Sequence, residues 1–384
     1  MKLTRRQALF CRWMLIFAFL IIAPASDPQA AAQEDQHVLT FVQITDAHLF
    51  DDTEDSGADN RKAIDWASRT VADMQQSGLH IDFIVYTGDF GLENVASKGT
   101  TDCDADASKA QHVKPYCFSS AVTEAASRLS KFRAARIFLV PGNNDLDLDS
   151  SSNETISGIN HYLKFVSALR EEMKHGPDQV RQLEFGAPIS IKGVRLVGFE
   201  SETLKSTDAY EMQCNQANVP SSLAPHCPLA QVEKFDKEVE AGLPILVFTH
   251  IPYLVDPYRC EAWKLQQNGL DDWARHAGER NVIGVFSGHF HSADQSIYGS
   301  NTGVASLTPV KGEAVARKSW VAPPLAVKHQ TTYRPQARGF LLASVDLKTM
   351  GVQVEPYWFV TDILPPGGAV ASTAPSSTCK RNQH

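Results

Sequence analysis

The sequence predicts an α/β fold of layered sheet and helix. Short apolar runs recur along the chain, and amphipathic helical stretches fall between several of them. The runs are 38–44, 81–86, 136–140, 244–248 and 281–286. Rich in Val, Ile and Phe and lacking polar alternation, they suit strands covered on both faces. Over 60–77, Ile64, Ala67, Val71 and Met74 recur at helical spacing, and Gly78 follows as a stop. Over 229–241, Leu229, Val232, Phe235 and Val239 share a face before Gly242 and Pro244 end the helix. A third helix, 270–280, precedes the last of these runs. Such alternation is the pattern of an α/β domain. Later runs at 189–199, 339–347 and 352–360 lack clear intervening helices and predict a second, more antiparallel sheet.

Hydrophobic residues make up 43% of the 384 and charged residues 21%, which is globular composition with a packed core. A net charge of -8 repels nucleic acid and anionic membranes at long range, so neither is expected as a partner. Residues 1–32 read as an export signal: Lys2, Arg5, Arg6 and Arg12, then an apolar run over 13–25, then Ala30-Ala31-Ala32 for cleavage. That run falls short of the roughly 18 apolar residues a spanning helix needs, so no stable membrane span is expected. Thr4-Arg5-Arg6-Gln7-Ala8-Leu9 resembles a twin-arginine signal, while the apolar stretch suits the general secretory route equally. Both routes lead to a periplasmic or secreted protein.

Cysteine usage agrees with export. Beyond Cys11 in the signal stand Cys103, Cys117, Cys214, Cys227, Cys260 and Cys379, an even set that suggests disulfides in an oxidising compartment. Cys103 with Cys117, and Cys214 with Cys227, are candidate staples of two polar inserted loops, 94–118 and 206–228. No Cys-x-x-Cys occurs, which argues against a thiolate zinc site or a redox motif. Residues 363–384, rich in Pro, Gly, Ala, Ser and Thr, read as a flexible tail. Oligomeric state is left open.

The tips of the apolar runs share a chemistry. In order they are Asp46-Ala47-His48, Gly88-Asp89, Gly142-Asn143-Asn144-Asp145, Thr249-His250 and Gly288-His289-Phe290-His291. Ligands gather beyond the carboxyl ends of strands in open α/β sheets, where loops converge. Oxygen and imidazole donors without thiolate favour Mn, Fe, Zn or Co over copper. Singly, each of these residues is more often a cap or a satisfied polar group. As an ordered set they are not.

The set resembles the calcineurin-like metallophosphoesterases, whose successive motifs are D-x-H, G-D, G-N-H-D/E, a lone His and G-H-x-H. The resemblance implies a catalytic domain over 37–362 and a layered β-sandwich flanked by helices, in α/β/β/α order. It also implies two divalent metal ions. Asp46, His48 and His291 would hold one, Asn143, His250 and His289 the other, and Asp89 would bridge them. The implied reaction is in-line hydrolysis of a phosphate compound by metal-activated water, with no covalent intermediate.

One position departs. Asn144 stands where the family has the His that stabilises the transition state and acts as general acid. Asparagine donates a hydrogen bond but delivers no proton. Three readings follow. The leaving group needs little protonation, as in the anhydrides of polyphosphate or nucleotides; the Asn-Asn-Asp form also resembles endopolyphosphatases of the acid-sphingomyelinase-like branch. Alternatively another group, with His161 the candidate, supplies the proton. In the third reading only metal binding survives. Asn144, Asp145 and His161 are therefore the catalytic candidates. A sphingomyelinase-like or nucleotide phosphodiesterase is the competing enzyme. Ser306-Leu307-Thr308-Pro309 and Arg338-Gly339-Phe340 look like later landmarks of the branch. The segment they bound is locally basic, with Lys311, Arg317, Lys318, Lys328, Arg334 and Arg338 against Glu313 alone, ordinary surface charges or holders of non-reacting phosphates. Trp320 and Tyr333 in the same segment could stack on a base.

Overall fold

The structure, a computed structural model, describes residues 37–50, 54–96, 116–146, 154–174, 180–183, 188–200, 231, 243–252, 281–291, 295, 298–299, 318–326 and 337–359. The export segment, the tail, the helix expected at 270–280 and, apart from Gln231, that at 229–241 lie outside these residues. So do Cys103, Cys214, Cys227, Cys260 and Cys379, the 306–309 landmark, Tyr333, and Lys311, Arg317, Lys328 and Arg334.

Two mixed sheets stack face to face, with helices on the outside of the first. The first sheet contains β1 (Val38–Ile44), β2 (Phe83–Thr87), β3 (Ile137–Val140), β4 (Val180–Gln182), β10 (Gly339–Asp346) and β11 (Gly351–Trp358), in the order β11-β10-β1-β2-β3-β4. The second contains β5 (Ile189–Ile191), β6 (Val194–Phe199), β7 (Ile245–Thr249), β8 (Val282–Ser287) and β9 (Ser319–Val321), in sequence order. Strands β1 to β4 pair in parallel, as do β6 to β9; β5 and β11 are antiparallel edges.

The unbroken apolar runs have a simple cause: both faces of these strands are buried. Leu39, Phe41, Phe83, Val85, Phe138 and Val140 point into the sandwich, against Leu196, Leu246, Phe248, Phe286 and Trp320. Phe41 is its centre, stacked on Phe83 at 4.9 Å and meeting Phe286 edge-on at 5.0 Å. The alternate residues Val42, Ile44, Ile84, Tyr86 and Leu139 face the helices α1 (Glu54–Gln76), α2 (Phe118–Leu129) and α3 (Glu154–Glu172). Ile64, Ala67 and Val71 of α1 form the expected buried stripe, with Met74 packed against it.

Several expectations need correction. The second sheet is mainly parallel, and the late strands β10 and β11 extend the first sheet instead. Dozens of residues separate β6, β7, β8 and β9 in sequence, ample for parallel crossovers. The run 189–199 is a hairpin, turned by Lys192 and Gly193 at φ 47° and 81°. Helices α2 and α3 were not expected. Trp320 is no exposed platform: it lies in β9, buried, stacked on Phe286 at 5.0 Å. Arg338 is also committed, donating to Asp59 at 2.7 Å and lying 4.7 Å above the Phe359 ring. Among the described residues no helix is long and apolar enough to cross a membrane.

Candidate metal centre

Parallel pairing puts the ends of β1, β2 and β3 along one edge of the first sheet, and those of β7 and β8 along one edge of the second. The sequence motifs follow these ends directly, so the topology itself assembles the site. Backbone bonds fasten the loops: Asp46 N donates to Gly88 O at 2.9 Å, His48 N to Asp89 O at 3.0 Å and Gly288 N to His250 O at 2.9 Å. Beneath them Gln43 ties the two sheets together, its Nε2 donating to Thr87 Oγ1 at 2.9 Å and Ser287 O at 3.0 Å.

Asp46, His48, Asp89 and His289 all take left-handed backbone conformations, with φ of 51°, 40°, 63° and 72°. Non-glycine residues adopt these only where the surroundings enforce them, and they concentrate at functional sites. Two glycines let the loops close this tightly. A Cβ on Gly88 would stand 2.5 Å from Gly142 N and 2.7 Å from His250 Nδ1. One on Gly288 would collide with Thr45 Oγ1 and stand 2.8 Å from Asp46 Oδ2.

Two triads result, Asp46–His48–His291 and Asp89–His250–His289, with the donor atoms of each lying within 4.8 Å of one another. In the first, His291 Nε2 is 3.1 Å from Asp46 Oδ1 and 3.4 Å from His48 Nε2. The other Asp46 oxygen is anchored by Thr45 Oγ1 at 2.6 Å and His289 N at 2.8 Å, which leaves Oδ1 facing the histidines. In the second, His250 Nδ1 lies 2.7 Å from Thr87 O, so the neutral ring carries its proton there and presents Nε2 to the cluster. That Nε2 meets Asn143 Oδ1 at 3.1 Å, His289 Nδ1 at 3.2 Å and Asp89 Oδ2 at 3.3 Å. Asp89 Oδ2 is also 3.7 Å from His48 Nε2, so one carboxylate oxygen lies between the triads. All seven residues picked as ligands from sequence are brought together.

The electrostatics suit a cation. Burial works against ionising Asp46, but the imidazoles of His250, His291 and His48 outweigh it and hold the carboxyl well below the usual range. Burial likewise opposes ionisation of Asp89, yet His250 and His48 bring it to about 2. Burial disfavours a charged His250, but the Asp89 and Asp46 carboxylates raise it to about 10. His289 is pushed the other way, by burial and by His250.

Asp145 has a different setting. Its two oxygens accept from four backbone N–H groups: Asp89 at 2.8 Å, Phe90 at 2.7 Å, Gly91 at 3.2 Å and Gly142 at 3.0 Å. Burial and the adjacent Asp89 carboxylate raise its carboxyl to about 7, against the pull of these donors. Asn144 donates to Asp89 from both N at 2.9 Å and Nδ2 at 3.1 Å, and its Oδ1 accepts from Asn143 Nδ2 at 2.8 Å. His161 lies on α3 with its ring 5.7 Å from that of Phe118; burial and Lys164 lower its pKa against the opposing pull of backbone at Val95 and Leu92.

Sequence reasoning missed the residues that hold the ligands. Thr45 is one, and Asn60 of α1, which donates to His48 O at 3.0 Å, is another. Tyr86 is a third; burial, with Asp145 nearby, holds its phenol protonated. Only the polar character of Thr45 and Tyr86 inside apolar runs could have signalled them.

Comparison with known proteins agrees with the geometry. No curated protein sequence matches. Among solved structures, the chain is similar to TT1561 of Thermus thermophilus, with 10% identity and TM-score 0.41, covering 83% of this chain and 99% of that one. It is also similar to a mutant cellobiohydrolase Cel6A of Humicola insolens, with 13% identity and TM-score 0.28, covering 72% and 76%. Likenesses this slight carry no argument. The calcineurin-like phosphoesterase family, by contrast, matches residues 39–293, about two thirds of the chain and every loop of the two triads. The chain belongs to that family and is a metallophosphoesterase with two candidate metal sites.

Proposed function

We propose that the chain is an exported phosphohydrolase that splits phosphoanhydride bonds, in polyphosphate or nucleotides, by means of water and two divalent ions. The donor set fits such ions: imidazole and carboxylate atoms converge on two adjacent points with a shared carboxylate oxygen. Asp46, His48 and His291 would hold one, Asn143, His250 and His289 the other, and Asp89 both. Mn, Fe, Zn or Co suits these donors. Ions bound there supply Lewis-acid polarisation of a phosphoryl oxygen and activation of the attacking water. The chain's own residues orient the ligands: Thr45 and His289 N fix Asp46, Thr87 O fixes His250, and Asp145 holds the Asp89 loop.

The single observation that carries the substrate class is Asn144. Its side chain delivers no proton, and both of its ends are engaged, by Asp89 and Asn143. A phosphate leaving group of low basicity departs without a general acid, whereas an alkoxide needs one. Burial and Lys164 lower the pKa of His161 and so disfavour its acid form, which supports a site without a substitute acid. Asp145 reads as a positioning group, since four backbone donors already surround its carboxylate.

Export is supported by the basic then apolar start of the chain. A disulfide at Cys117, ahead of α2, would fit the same oxidising compartment. The test is a turnover screen of manganese-loaded protein that reads phosphate from tripolyphosphate and ATP, phosphocholine from sphingomyelin, and nitrophenol from a nitrophenyl diester. Turnover of the anhydrides in preference to the diesters supports the proposal. Preferred diester turnover establishes the phosphodiesterase instead, and silence on all four with ions bound establishes a metal-holding protein without catalysis.

A further inference from the structure

We infer that Tyr86 is a positioning residue whose hydroxyl locks the two ligand triads to each other. The inference rests on the two-ion reading above. Tyr86 is wholly buried in β2, and its ring stacks on Phe90 at 3.9 Å and 15°. The hydroxyl donates to Asp89 O at 2.9 Å and accepts from Ala47 N at 3.1 Å. Ala47 separates Asp46 from His48. One phenolic oxygen therefore bonds both the loop that carries the first triad and the residue that anchors the second.

The bonded groups lie in the strained loops. Asp46, His48 and Asp89 all have positive φ, and such conformations persist only where surrounding bonds over-determine them. The Asp89 carbonyl is held twice, by the Tyr86 hydroxyl and by His48 N at 3.0 Å. A phenylalanine at this place keeps the volume and the stack on Phe90. It leaves Ala47 N–H buried without its acceptor and lets the 46–48 loop move relative to Asp89. Tyr86 touches neither ion nor substrate in this arrangement. Its effect passes through the spacing of ligands that both ions must share.

Mn2+ titration by calorimetry, with the paramagnetic resonance spectrum of the bound ion pair, tests this on the full chain well below its unfolding temperature. Wild type is expected to take up two ions. In Tyr86→Phe both affinities fall together, by about tenfold or more as for other residues that orient metal ligands, and the exchange signal between the ions weakens. Phe165→Leu is the control for packing, since Phe165 lies 5.5 Å from Phe90 in the same aromatic cluster without touching the hydroxyl bonds. It is expected to lower the melting temperature and leave both Mn2+ affinities intact. Unchanged affinities in Tyr86→Phe, or an equal loss in Phe165→Leu, overturn the clamp. Failure of wild type to bind two ions overturns the two-ion reading itself, and the clamp with it.

Discussion

Asn144 donates its side-chain amide to Asp89, Nδ2 to Oδ2 at 3.1 Å, while its backbone N–H reaches Oδ1 at 2.9 Å. The residue that stands where the family resemblance implies an acid is thus turned onto the carboxylate that lies between the triads. The substitution changes two things at once: it removes a proton donor and adds a hydrogen bond to a shared ligand.

Asn144→His separates these effects. An imidazole restores a group able to protonate a leaving alkoxide, so ester hydrolysis is expected to rise relative to anhydride hydrolysis. General acid catalysis contributes about 100-fold or more where it is fully realised, and loss of the amide's bond to Asp89 acts on both substrates and cancels in the ratio, so at least about tenfold in the ratio of kcat values is expected. Steady-state rates on glycerol phosphate, whose leaving group is an alkoxide, and on tripolyphosphate measure the ratio. Equal effects on both substrates remove the explanation of the substitution.

Asp89→Asn is expected to strip both ions. Its Oδ2 lies 3.3 Å from His250 Nε2 and 3.7 Å from His48 Nε2, which places its negative charge beside both triads. An amide there removes that charge and sets an N–H or a weaker oxygen in its place. Metal content by mass spectrometry is expected to fall from two ions per chain to less than one. Retention of two refutes the bridging role.

Asp145→Asn distinguishes a positioning group from an acid. One oxygen can still accept from Phe90 and Gly91, but the new amide then faces the N–H groups of Asp89 and Gly142. Loss of charge-assisted bonds and the opposed donors are expected to lower stability by about 2–4 kcal/mol. Urea unfolding of the ion-free protein measures it. Full stability with abolished turnover would mark Asp145 as a proton donor instead.

The convergence of the seven candidate ligands and the strand cores were legible because each depends on local facts. A parallel strand buried on both faces is an unbroken apolar run, and its tip carries the residue that the fold delivers to the site; 38–44 and Asp46-Ala47-His48 show both. What holds the ligands was not legible. Asn60 reaches His48 O from α1, and Tyr86 meets Ala47 N from β2; an amide in a helix or a hydroxyl in an apolar run marks a polar group but names no partner. The mainly parallel second sheet was hidden for another reason. Lys192–Gly193 turns a single apolar stretch into a hairpin, and β10, although it forms a local hairpin with β11, is placed beside β1 by pairing across hundreds of residues. Trp320 illustrates the same limit, since a three-residue strand leaves no periodicity to read.

The pH dependence of stability is expected to include a component from Asp65, well away from the metal centre. Asp65 of α1 pairs with Arg128 of α2, and with Lys131 Nζ at 2.8 Å, joining the first two helices over the sheet. Although burial favours the neutral acid, the bonds from Lys131 and Arg128 prevail and lower its pKa in the folded chain. A carboxyl lowered on folding stabilises the native state at pH above its unfolded value, about 3.9. That contribution declines as pH falls through the folded value and is absent below it. Asp65→Asn is therefore expected to lower the denaturation midpoint of the ion-free protein at neutral pH, and the gap from wild type is expected to close on acidification. The partial exposure of all three side chains keeps the effect small and sensitive to salt. Midpoints measured from neutral pH down to the acid limit, at low and high ionic strength, check both trends; a gap that widens in acid contradicts the pairing as the source.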